Sequence, residues 1–192
     1  MRRNPAVFLD RDGVLNEDRG YVHRWADFVF LPGVVDALRM FGQLGYLLVI
    51  ITNQSGIARG LYRESDVLAL HDRMLSFLHG QGIEIAGVYY CPHHPAGSVA
   101  RYARTCSCRK PAPGMILRAA EEHHIDLASS VLIGDKVTDL EAGAAAGITS
   151  LYLVSSTGLE ECLQPFPHAQ SVESLHEVAK ILRDLPMVRC GS

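Results

Sequence analysis

Along the chain, short apolar runs alternate with longer stretches whose apolar residues recur at helical spacing. The short runs are Ala6 to Leu9, Leu47 to Ile51, Gly87 to Tyr90, Val131 to Ile133 and Ser150 to Val154. Each is too short for a helix and lacks polar alternation, the pattern of a strand buried on both faces. The longer stretches are Val34 to Leu44 and Glu64 to Leu78, the latter with Leu68, Met74, Leu75 and Leu78 toward one face. Pro113-Gly-Met-Ile opens another, Leu140 to Ala146 is short and Ala-rich, and Val172 to Leu185 is the last. Strands alternating with helices predict an α/β domain on a mostly parallel sheet. From Leu159 onward the sequence carries no evident chemistry and reads as a closing helix with a short tail from Pro186.

The 192 residues suit one continuous core rather than two, so a single domain is expected over residues 1–192. At 48% hydrophobic and 20% charged, the composition argues against disorder. The net charge of -3 offers no basic footprint for nucleic acid. No apolar run reaches membrane-spanning length. The opening MRRNPAVFLDRDG has no long apolar segment of the secretory kind. The expectation is a cytoplasmic monomer without nucleic-acid or membrane partners.

In open parallel sheets, ligands bind beyond the carboxyl ends of the strands. Here Asp10-Arg-Asp12-Gly follows the first strand, Thr52-Asn-Gln-Ser55-Gly the second, and Gly134-Asp135-Lys136 the fourth. The third leads into a Cys/His loop that runs on to Arg109-Lys110-Pro. Asp10, Asp12 and Asp135 together make a hard oxygen site suited to Mg²⁺. Thr52, Asn53 and nearby backbone N–H groups suit phosphate oxygens, and Lys110 adds a positive charge. A carboxylate nucleophile screened by a metal can attack an anionic phosphate. Alone, the Asp-x-Asp-Gly string fits an ordinary surface turn equally well; four strand ends meeting at one edge do not.

Three of the five cysteines sit in the loop CPHHPAGSVARYARTCSC, beside two histidines. Cys91-x-His93, twelve residues, then Cys106-x-Cys108 forms a tetrahedral donor set for structural Zn²⁺. A strained Cys106–Cys108 disulfide and a reactive Cys91 thiol stay open, as does His94 in place of His93. Cys162 and Cys190 read as ordinary thiols.

These residues also resemble a known family. FLDRDGVLN, VIITNQSG, RKPAPGM and LIGDKVTDLEAG are similar, in order, to the four motifs of the haloacid dehalogenase superfamily of phosphatases, over about Val7 to Ile148. The resemblance implies a Rossmann-like fold. It implies Asp10 as nucleophile forming an aspartyl-phosphate, and Asp12 as acid and then base. It places Mg²⁺ on Asp10, the backbone carbonyl of Asp12, and Asp135. Thr52 and Lys110 would steady the phosphoryl group. Asp139 is either a supporting group or an ordinary acid in a first helical turn.

CPHHP and CSCRKP resemble the zinc-loop branch, which holds heptose bisphosphate and histidinol phosphate phosphatases, and that register favours His93. The intervals between motifs leave no room for a separate cap domain. NEDRGYVHR and NQSGIARG resemble the heptose form. This implies hydrolysis of the C7 phosphate of the β anomer of D-glycero-D-manno-heptose 1,7-bisphosphate, on the route to lipopolysaccharide core. The α anomer and histidinol phosphate are the alternatives. Asp18, Arg19, Gly20 and Tyr21 would then line the sugar side, although Tyr21 and His23 also suit a packed flap. Asn53, Gln54, Ser55 and Lys136 would complete the substrate contacts, and Arg109 would read the distal phosphate through its planar fork. Arg59 reads as an exposed charge or a second phosphate contact.

Overall fold

The computed structural model describes residues 3–155 and 163–184. Cys162, Cys190 and the tail from Pro186 lie outside them. Six strands form one sheet: β1 Ala6–Leu9, β2 Leu47–Asn53, β3 Ile85–Cys91, β4 Val131–Gly134, β5 Ser150–Val154 and β6 Gln170–Val172. Their order is β3-β2-β1-β4-β5-β6, and every pairing is parallel. The helices are α1 Val34–Gln43, α2 Glu64–Gly80, α3 Gly114–Glu122, α4 Val137–Ala145 and α5 Leu175–Asp184.

The near-continuous apolar strands follow from burial on both faces. Val7, Leu9, Leu48, Ile50, Val131 and Ile133 face a layer made by α1, α2 and α5. Ala6, Phe8, Val49, Ile51 and Leu132 face α3 and α4 on the other side. Successive side chains point to opposite faces, so each central strand serves both cores.

Three sequence expectations need correction. The buried face of α2 is Val67, Leu70, His71, Met74 and Leu78, at helical spacing; Leu68 is 44% exposed. The Ala-rich helix begins a turn earlier, at Val137, because the Asp139 carboxylate accepts the N–H groups of Asp135 and Lys136 just before it. The last helix starts at Leu175 rather than Val172, because Gln170–Val172 pairs with β5 as a sixth strand.

Residues 10–33 and 92–113 are the two long excursions at the carboxyl edge, and helix within them is limited to one short 3-10 turn at Trp25–Asp27. Among the described residues no helix is long and apolar enough to cross a membrane.

Candidate active site and metal centre

The strand order reverses direction between β1 and β4, and a crevice opens there beyond their carboxyl ends. Asp10 continues the ladder, its N–H donating to the Ile133 carbonyl at 3.0 Å. Asp135 follows β4, and Gly13 lets it come close: Gly13 has φ +90, and a Cβ there would overlap the Asp135 carboxylate. Donor atoms of Asp10, Asp135 and Asp139 lie within 4.8 Å of one another.

Lys110 arrives from the long loop and is buried among them. Its ammonium is 2.8 Å from Asp10 Oδ1 and 2.7 Å from Asp139 Oδ1, and it donates to the Ile51 carbonyl at 3.1 Å. All three of its protons are thus used. Burial opposes its charge, yet the two carboxylates more than offset this and raise its pKa. Asp10 goes the other way from an ordinary carboxyl: burial, with the charges of Asp139 and Asp135, pushes it up to about 8 against the pull of Lys110.

Three carboxylates therefore face one ammonium. Lys136, 3.3 Å from Asp135 Oδ2, offsets part of the remainder from the rim. Asp135 Oδ1 is buried and receives no hydrogen bond from any donor among the described residues. An orphan carboxylate oxygen beside an excess of negative charge fits a hard divalent cation such as Mg²⁺.

Asp12 turns its side chain elsewhere. Its carboxylate accepts from Arg11 at 2.9–3.3 Å, from Asn16 Nδ2 at 3.0 Å and from Gln54 Nε2 at 3.1 Å. Of Asp12, only the backbone remains for the cation. Gln54 also donates to Thr52 Oγ1 and accepts from Tyr62 Oη, both at 2.9 Å. The Asn53 amide is committed as well, donating to the Lys110 carbonyl and accepting its N–H, each at 3.1 Å. These two side chains lie in the wall of the cleft and also hold Asp12, Thr52 and Lys110 in place.

The resulting cleft has a volume of about 410 Å³. Besides Asp10, Asp12, Thr52 and Lys110, its walls include Asp18, Gly20, Tyr21, Ser55, Arg109 and Lys136. Lys136 also reaches Asp18 at 3.3 Å, which ties the flap to the end of β4. Tyr21 stands 46% exposed with φ 56. Arg19 is not in the wall; it pairs with Glu17 at 2.6 Å. His23 stacks on Tyr62 with centroids 4.5 Å apart, so it belongs to the packed flap. Arg59 lies 3.1 Å from His94 Nε2 and is not a cleft residue either. Arg11, Tyr62 and Thr138 were not singled out by sequence, since an Arg between two Asp or a lone Tyr carries no local signal of its fold position.

The Cys/His loop resolves its own ambiguities. Cys91, Cys106 and Cys108 are free thiols, with sulfurs 3.2–3.5 Å apart, far beyond the ~2.0 Å of a disulfide. His93 Nδ1 lies 3.7 Å from Cys91 Sγ and 3.5 Å from Cys108 Sγ. His94 faces away, its Nδ1 accepting the Ala96 N–H at 3.1 Å. The four donors of Cys91, His93, Cys106 and Cys108 sit within 4.8 Å of one another, and three sulfurs with one imidazole fit Zn²⁺. An ion on Nδ1 leaves the ring proton on Nε2, so exposed Arg104, now 2.9 Å from Nε2, would have to turn away.

Comparison with known proteins adds independent findings. A HAD-hydrolase-like family model matches residues 107–178. A Yersinia pestis protein named D-glycero-beta-D-manno-heptose-1,7-bisphosphate 7-phosphatase is 51% identical over 150 residues, covering 78% of this chain and 80% of that one. Its namesake from Escherichia coli K12 is 48% identical and covers 78% of both chains. The crystal structure of D,D-heptose 1,7-bisphosphate phosphatase from B. bronchiseptica, complexed with magnesium and phosphate, superposes with a TM-score of 0.79 at 34% identity. It covers 93% of this chain and 98% of that one. With such identity over most of both sequences, the chain belongs to the haloacid dehalogenase superfamily, in the family of these heptose-1,7-bisphosphate 7-phosphatases.

Proposed function

We propose that the protein is a Mg²⁺-dependent phosphatase that removes the C7 phosphate of D-glycero-β-D-manno-heptose 1,7-bisphosphate and leaves heptose 1-phosphate. The observation that carries the reading is the buried Lys110 bridging Asp10 and Asp139 beside the orphan oxygen of Asp135. The relatives' names supply the sugar. Bound between Asp10, the Asp12 carbonyl and Asp135, Mg²⁺ would offset the negative charge that otherwise keeps phosphate from a carboxylate.

The chain's own groups then divide the work. Lys110 and the Arg11 N–H both hold Asp10 Oδ1 at 2.8 Å, which fixes the carboxylate for attack on phosphorus. As the bond from phosphorus to the C7 oxygen breaks, Asp12 gives that oxygen a proton. Asp12 then takes a proton from the water that attacks the aspartyl-phosphate, and inorganic phosphate leaves. Thr52 and Lys110 steady the phosphoryl oxygens. Arg109 and Lys136, both in the wall of the cleft, suit the distal phosphate, and Asp18 to Tyr21 the sugar.

The zinc loop is structural in this reading, because its four positions are all filled by protein. Reduced thiols fit a cytoplasmic setting, on the route to the activated heptose of lipopolysaccharide core. The substrate test is phosphate release with Mg²⁺ from β- and α-heptose 1,7-bisphosphate, histidinol phosphate and fructose 1,6-bisphosphate. The highest kcat/KM is expected on the β anomer. A preference for histidinol phosphate would keep the mechanism and overturn the substrate.

A further inference from the structure

Among the described residues, Arg11 is the largest fully buried side chain. A buried guanidinium is tolerated only when its donors are met. Its Nε and Nη2 reach the Asp12 carboxylate, and Nη2 also donates to the Val22 carbonyl at 2.6 Å. On the far side, Nη1 meets His71 Nε2 at 3.0 Å. Arginine can only donate, so Nε2 accepts and the ring is neutral with its proton on Nδ1. Burial, then the charge of Arg11, pushes His71 down to about 3. His71 lies on the buried face of α2, edge-on to the Tyr90 ring at 5.8 Å. A neutral acceptor satisfies the guanidinium without offering a second negative charge to compete with Asp12.

We propose that His71 is a positioning residue for Asp12, acting through the buried Arg11 guanidinium that bridges them. The inference rests on the reading of Asp12 as the proton donor. Without the imidazole acceptor, a cationic N–H is left buried and unpaired. The guanidinium then rotates or admits water, and the carboxylate it holds moves with it. Displacement of a proton donor matters most when the leaving group must be protonated.

The test compares kcat/KM on heptose 1,7-bisphosphate, whose alkoxide needs a proton, with kcat/KM on p-nitrophenyl phosphate, whose phenolate leaves without one. Both are measured on the zinc-loaded enzyme at saturating Mg²⁺. Asp12→Asn is expected to lower the sugar-to-aryl ratio by about 100-fold or more. His71→Leu, and His71→Asn with its carbonyl set short of Nη1, are expected to lower it roughly tenfold. His71→Gln, whose amide oxygen reaches the place of Nε2, is expected to stay within about threefold of the parent enzyme. A ratio unchanged in His71→Leu and His71→Asn, or an equal decline on both substrates, would overturn the positioning role and leave Asp12 standing. A ratio unchanged in Asp12→Asn would overturn the reading of Asp12 itself, and the inference with it.

Discussion

The carboxylate site and the Cys/His loop are built on opposite plans. Asp10, Thr52 and Asp135 stand at or just beyond the ends of three adjacent strands, where parallel hydrogen bonds have already set the backbone. What the site lacks is charge balance. Residues 92–113 form neither helix nor strand, so what that loop lacks is regular secondary structure to fix its course. A hard ion would answer the first need and a four-coordinate soft one the second. The two regions meet at Lys110. It follows the last thiol by two residues, yet its ammonium ends between Asp10 and Asp139. Even without metal the loop is pinned from outside. The Glu64 carboxylate, at the start of α2, accepts both Tyr90 at 2.9 Å and Tyr102 at 2.5 Å.

The largest expected effect separates the two regions. Asp10→Asn should cut phosphate release by about a thousandfold or more, while metal analysis still finds about one zinc per chain. Loss of zinc in that variant would erase the distinction. Next, Cys106→Ser should deplete the zinc. Forfeiting even about 3 kcal/mol of the roughly 10 kcal/mol that such ions supply in small peptides lowers Tm by about 6–12 °C. Scanning calorimetry reads this directly, and an unchanged Tm would mean that the protein clamps alone order the loop.

Asn53→Ala probes the joint between the regions. Freed from its paired hydrogen bonds, Lys110 should drift, with kcat/KM lower by about tenfold and zinc content unchanged. The smallest effect belongs to Glu64→Gln. Exchanging two charge-assisted bonds for neutral ones should cost about 1–2 kcal/mol, a fall in Tm of about 2–8 °C. Zinc loss there would show that α2, and not the thiolates, holds the loop.

Much of this was legible beforehand because it is local. β1 and β5 match their short runs residue for residue, since a strand buried on both faces reads as a near-continuous apolar run. β6 was not legible: three residues at a sheet edge, Gln170-Ser-Val, carry too little pattern. Leu68 was misplaced because the apolar positions of α2 fit two overlapping stripes, and only its neighbours select one.

Sequence by itself determined the strand–helix alternation, the clustering of chemistry at four strand ends and two donor sets of different chemistry, one of carboxylates and one of thiols with an imidazole. All of these depend on residue identity at short separations. Tertiary structure decided which groups meet. His93, which the motif register had only favoured, faces the thiols and His94 does not. Asp139 holds Lys110 rather than merely capping α4. Gln54 and Asn53 brace the site from the wall of the cleft. Arg11, charged and flanked by acids, lies fully buried because Val22 in the following loop and His71 on α2 supply its remaining acceptors. The physical reason is common to all four. A polar side chain's role is set by which partners remain once water is excluded, and those partners come from distant segments that only the packed sheet brings together.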